Sequence, residues 1–129
     1  MGYWVSGTGV KAVQQLDNEE AGVEGEMAYP HKIGRNAIPH CDIFLENGYT
    51  KEEMKMYHET KKIMSSDIEV SATCVRVPVM RAHSEAIWCE TESPVTPAEF
   101  RAASEATEGV TVVDDLPGLG YPMPYDLAG

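Results

Sequence analysis

The sequence predicts an α+β domain, α/β-like in its layering, in which a mixed β-sheet is covered by helices. Three observations predict it: a β-branched run from Ile68 to Val79, capped helical segments opening at Thr50 and Thr96, and a length of 129 residues that fits one domain. A chain of this size buries somewhat more than about 60% of its unfolded surface, enough for one modest core.

Ser6 precedes a segment in which Val10, Ala12, Val13 and Leu16 recur at helical spacing, which predicts a short amphipathic helix over about Thr8 to Leu16. From Asp17 to Pro39 the pattern dissolves, with Gly22, Gly25, Pro30 and Gly34 punctuating a long irregular connection. Loops of that length usually carry function or cover a partner surface. Asn47-Gly48 predicts a turn, and Thr50 with Glu53 three residues later forms a capping box for a second helix reaching about Met64. The strand predicted over Ile68 to Val79 puts Val70, Ala72, Cys74 and Arg76 on one face and Thr73, Val75, Val77 and Val79 on the other. A second strand is predicted across Ser84 to Glu90. Thr96-Pro97-Ala98-Glu99 combines an N-cap, a proline at the first helical position and a capping Glu, which predicts a third helix over Pro97 to Thr107. Val110 to Val113 reads as a short apolar strand before an acidic, then Gly- and Pro-rich tail.

Ten Lys and Arg against 21 Asp and Glu give a formal charge of −11, which argues against nucleic acid or an anionic membrane as partner. A local basic pocket remains compatible with an acidic surface, because a site is built from a few residues. With no run of 18 or more apolar residues and no signal-peptide pattern at the start, a soluble cytoplasmic protein is expected. Cys41, Cys74 and Cys89 are odd in number, far apart and in apolar surroundings, so they read as buried small hydrophobes. No His, Cys or carboxylate cluster has ligand spacing, so no metal is expected.

Gly7-Thr8-Gly9-Val10-Lys11-Ala12 fits a loose dinucleotide pattern at the opening of a helix, with Glu24 and Glu26 downstream. The segment before it is too short for a convincing first strand, and no second strand ends in the acid that would meet a ribose. Free amides at that helix start still suit a phosphate or amide of a cofactor bound elsewhere. On the second helix Glu52, Lys55, Met56, Glu59 and Ile63 form one stripe; its ordinary reading is a solvated face with two weak ion pairs. Arg76 is different, since an unpaired guanidinium inside an apolar strand is costly and wants an anion. A straight strand would hold Arg76 and His83 on opposite faces about 23 Å apart, so both reach one site only if the chain bends, with Pro78 and Arg81-Ala82 as the expected bend. His83 reads either as a structural histidine at a strand start or as a base at neutral pH, and the arginine fork matches a carboxylate.

Asn36-Ala-Ile-Pro-His40, Glu46-Asn-Gly-Tyr-Thr-Lys-Glu-Glu-Met-Lys-Met56 and Glu59-Thr-Lys-Lys-Ile-Met64 resemble, in order, the middle of bacterial aspartate-semialdehyde dehydrogenases. Val70-Ser-Ala-Thr-Cys-Val-Arg-Val-Pro-Val79 and His83-Ser-Glu85 continue the resemblance, which runs from Val5-Ser6-Gly7 to Leu127-Ala-Gly129. It implies the dimerisation-type, substrate-binding domain of an enzyme that carries out NADPH-dependent reductive dephosphorylation of aspartyl phosphate to aspartate semialdehyde through a cysteine thioester. By resemblance Arg76 grips the substrate carboxylate, Glu52 the amino end, and Lys55 faces phosphate. His83 is the acid/base, and Ser6 and Gly7 approach the NADP cofactor.

The sequence departs from that family where a substrate-holding Gln is expected three residues before Ser6, since Tyr3 stands there. The family's nucleophilic cysteine lies upstream of that Gln, and none of Cys41, Cys74 and Cys89 stands in its motif. Residues 1–129 are therefore expected to form one incomplete dimerisation and substrate domain, without the Rossmann domain, inactive alone and homodimeric. The alternative is a non-catalytic interaction module that pairs with full-length subunits through Thr73, Val75 and Val77.

Overall fold

The computed structural model describes residues 2–6 and 9–127, with side chains over 9–126. Three strands form one mixed sheet in the order β2-β1-β3. β1 (Gly2–Ser6) runs parallel to β2 (Ala72–Val75) and antiparallel to β3 (His83–Ala86). The helices are α1 (Gly9–Ala21), α2 (Lys51–Met64), α3 (Pro97–Glu105) and the short α4 (Pro124–Leu127). The architecture is α+β, as expected, and the opening segment, read from sequence as too short for a first strand, is its central strand. Its backbone pairs on both sides with residues some 70 or more positions away, so pairing partners rather than length make it a strand.

α1 runs past Leu16, where the apolar period stops, because its polar second half has work to do. The side chain of Gln15 is buried and fully used: Oε1 accepts the N–H groups of Ala28 (2.7 Å) and Tyr29 (2.9 Å), while Nε2 donates to the His31 carbonyl (3.1 Å) and to Glu19 Oε1 (2.6 Å). Glu19 Oε2 in turn accepts the N–H groups of Ile33 (2.9 Å) and Gly34 (2.6 Å). The irregular connection is thus moulded on α1, and Leu16, Ile33 and Ile38 close a small core with Tyr29 against it. Ile38 then hands this block to the sheet by exchanging two backbone hydrogen bonds with Arg76, of 2.8 and 2.9 Å.

Asn47-Gly48 makes the expected turn, with Gly48 at φ 82 and Leu45 N–H donating to the Tyr49 carbonyl at 2.8 Å. It delivers Thr50 as a fully buried N-cap whose capping box with Glu53 is complete; α2 ends at Ser65, in a left-handed conformation. α2 is the helix that packs on β2. α1 rests on the 28–38 connection and Phe100 of α3 is 62% exposed, so among the described residues α2 is the helix with extensive contact to the sheet, where all three were expected to cover it.

The strands are shorter than predicted. Of Ile68 to Val79 only Ala72–Val75 is laddered, because β1 opposite has five residues and Val79 N–H turns back to the Val77 carbonyl (2.8 Å) around Pro78. Of Ser84 to Glu90 only the start is laddered, and β3 begins one residue earlier, at His83. Ile87 and Trp88 run on exposed. Val110 to Val113 has no strand partner among the described residues; Asp114 is held instead by Arg101, 2.5 Å away. Cys41 and Cys74 are buried as expected, whereas Cys89 is exposed because it lies beyond the laddered part of β3.

The chain presents 10045 Å² to solvent, against about 6,800 Å² for a folded monomer of this mass. Apolar side chains from Ile87 to Tyr125 contribute heavily, among them Trp88, Leu116, Leu119 and Tyr125. Patches of that extent mark surfaces that another body covers.

Candidate substrate site

The sheet brings Arg76 and His83 to one end and one face. Cys74 and Glu85 both lie opposite Trp4 on β1, so they share a face, and Arg76 and His83, each two residues away, share it too. Ser6 pairs with His83 while Val5 pairs with Val75, which sets Arg76 and His83 on either side of the last β1 residue. Two strand spacings, about 10 Å, then separate the two backbones. The expected bend is present, with Ala82 at φ 70. His83 is exposed.

Arg76 is half-buried, and its guanidinium carbon stands 5.9 Å from the centre of the Tyr29 ring, within reach of a cation–π contact. Sequence reasoning passed over Tyr29, which sits in the glycine-rich connection without periodicity. α2 brings its first turn to the same region. Lys55 Nζ lies 3.4 Å from Glu52 Oε1, with Glu52 the more sheltered partner, so the i,i+3 pair read from the sequence is real. The i,i+4 pair expected with Glu59 is not among the ion pairs of the described residues.

Glu53, one position on, points inward. Its Oε2 accepts the Thr50 N–H at 2.8 Å and its Oε1 the Cys74 N–H at 3.1 Å. Burial pushes this carboxyl up, but the hydrogen bonds from Thr50 and Cys74 outweigh that and hold it below the usual carboxylate range. Around it Cys41 and Cys74 feel Glu52, Glu53 and Arg76 together. Burial pushes the Cys41 thiol up, and burial with the neighbouring Cys41 and carboxylates pushes Cys74 up to about 12. Neither is a thiolate near neutrality. Ellman's reagent is therefore expected to titrate one thiol of the folded chain, Cys89, and to reach the other two only on unfolding; fast reaction of Cys74 in the native state would contradict this burial.

Ser6 is placed by its backbone at the sheet end, and Gly7 lies outside the described residues. At the start of α1, Gly9 has φ +53 and open space around it, and the first turn carries no acid. That edge suits a polar cofactor group. The described residues hold no dinucleotide cradle beyond it, since β2 ends at Val75 and Arg76 follows it where a ribose-binding carboxylate would stand.

A short mixed sheet with α2 packed on it and a large uncovered surface define an α+β domain of the kind that another body covers. Residues 4–129 match the family model described as semialdehyde dehydrogenase, dimerisation domain, and the chain belongs to that family. It is 49% identical over 132 residues to the aspartate-semialdehyde dehydrogenase of Aquifex aeolicus (strain VF5), covering 97% of this chain and 39% of that protein. The Legionella pneumophila aspartate-semialdehyde dehydrogenase is 48% identical over 92% of this chain and 36% of its own length. Among solved structures, aspartate semialdehyde dehydrogenase II from Vibrio cholerae, complexed with ASA, superposes with a TM-score of 0.74 at 35% identity, over 84% of this chain and 35% of that one. The chain thus spans well under half the length of these relatives.

Proposed function

We propose that the chain is the substrate-binding and dimer-forming part of an aspartate-semialdehyde dehydrogenase, which interconverts aspartyl phosphate and aspartate semialdehyde with NADP. The observation that carries the reading is the placement of Arg76 and His83 on one face at one sheet end, with α2, which carries the Glu52–Lys55 pair, packed on the strand that leads into Arg76. In this reading Arg76 grips the substrate carboxylate with its fork, Glu52 takes the ammonium end and Lys55 faces phosphate. His83 moves the proton of the reacting group. When bound, NADP supplies hydride exchange; Ser6 at the sheet end, with the open start of α1, would meet one edge of it, and Gly7 is assigned to the same role by its place next to Ser6 in the sequence. The raised thiols of Cys41 and Cys74 suit neither for thioester formation, and Cys89 lies past the end of β3 opposite to His83, so in this reading none of the three is the nucleophile. No helix among the described residues is long and apolar enough to cross a membrane.

Titrating the chain with L-aspartate, which carries the same carboxylate and ammonium, tests the pocket. Saturable shifts of the Arg76, Glu52 and Lys55 resonances are expected, and non-saturable or scattered shifts would refute it. The excess surface favours a second, compatible reading in which the domain associates with a like subunit through the half-buried Thr73, Val75 and Val77 face and the exposed apolar tail. Native mass measurement is expected to give a dimer, and a charge placed at Val75 or Val77 is expected to shift it to monomer.

A further inference from the structure

Glu52 and Glu53 are neighbours in sequence yet about 100° apart around α2, and this separates their tasks. Glu52 faces Lys55, while Glu53 turns towards β2. What Glu53 does there goes beyond starting a helix, and α3 supplies the internal comparison. Thr96 and Glu99 build the same capping box, with N-cap angles of φ −80 and ψ 156 against φ −78 and ψ 156 at Thr50. In that exposed box one carboxylate oxygen, Glu99 Oε2, takes both the N–H and the hydroxyl of Thr96, and the cap is complete. Capping needs one oxygen only. In α2 the box is buried around Thr50, and the second oxygen of Glu53 crosses to another element, accepting the N–H of Cys74 two residues before Arg76.

We propose that Glu53 is the positioning residue that fixes α2 to β2, so that Glu52 and Lys55 on one element and Arg76 on the other are held at the spacing of a single two-headed substrate. The inference rests on the reading of these three as a substrate pocket. A carboxylate is suited to the task because both of its atoms accept, whereas glutamine offers one acceptor and one donor. Glu53→Gln keeps the capping box and turns an NH2 group on one of the two N–H donors. The site's halves then lose their fixed spacing. A ligand that bridges them suffers, and a ligand that touches only one does not.

The test measures two ligands on the whole chain: L-aspartate, which spans the site, and acetate, which engages Arg76 alone. Glu53→Gln is expected to weaken L-aspartate roughly tenfold or more, given the sensitivity of positioned groups to displacements near 1 Å, with acetate within about twofold. Glu99→Gln, which touches only its own cap, is expected to change neither. A parallel loss of both ligands in Glu53→Gln, or no loss of either, overturns the inference while wild type still binds L-aspartate. Wild type that binds neither ligand overturns the pocket itself, and the inference with it. Should the variant not fold, wild type serves. On acidification the Thr50 and Cys74 amide resonances are expected to move together with one carboxyl; the titratable and charged groups that share its surroundings are Cys41 and Cys74, which feel Glu53, Glu52 and Arg76 alike. Independent movement of those two amides overturns the clamp.

Discussion

Arg76→Leu is expected to weaken L-aspartate binding by roughly 30-fold or more, equivalent to about 2 kcal/mol at the least, the low end for removing one partner of a sheltered charge pair. The backbone of Arg76 would stay, because its two bonds to Ile38 involve only main-chain groups. The side chain alone is thereby tested. Arg76→Lys keeps the charge and loses the fork, so it is expected to recover only part of the affinity. Isothermal titration of the three proteins decides the matter: equal affinities across the series would remove Arg76 from the site. The same experiment on Lys55→Met is expected to leave L-aspartate binding nearly unchanged and to reduce affinity for inorganic phosphate, since in the proposed arrangement Lys55 faces only the phosphate.

What could be read beforehand was what is encoded locally. Thr50 with Glu53 and Thr96 with Glu99 both form the boxes that their three-residue spacing announces, and both helices start where expected. Asn47-Gly48 turns where it should. Arg76 was legible as an anomaly, a charge in an apolar strand whose cost demands a reason. The central strand was not legible, because Gly2–Ser6 becomes a strand through partners at 72–75 and 83–86, which no local pattern records. Val110 to Val113 failed for the converse reason: its β-branched residues fit a strand, but the described residues offer no ladder for them. The end of α1 was missed because its final residues are held by hydrogen bonds to a loop rather than by apolar contact. Glu53 was seen as a cap, and only the fold shows that its other oxygen reaches β2.

Gln15→Leu is expected to cost about 3 kcal/mol of stability, since it strands the Ala28 and Tyr29 N–H groups and the His31 carbonyl at about 1 kcal/mol or more each. Against a total of about 5–15 kcal/mol for a domain, that is a large share. A fall of the thermal midpoint by about 10 °C follows for a chain of this size. The loss should be local first. Ile33 and Gly34 amides are held by Glu19, whose carboxyl burial pushes up but which hydrogen bonds from Gln15, Gly34 and Ile33, with Lys32 nearby, keep below its ordinary 4.5. A carboxyl depressed in the folded state contributes stability above the unfolded value, and that contribution disappears as pH falls through the folded one. In wild type, protection of the Ile33 and Gly34 amides is therefore expected to persist below pH 4.5 and then fail. In Gln15→Leu one holder of Glu19 is gone, its carboxyl rises towards the ordinary value, and the failure moves to higher pH. Hydrogen exchange read at those two amides measures both effects. Unchanged protection in the variant would mean that the connection is held by Leu16, Ile33 and Ile38 alone, and that the buried amide is a passenger.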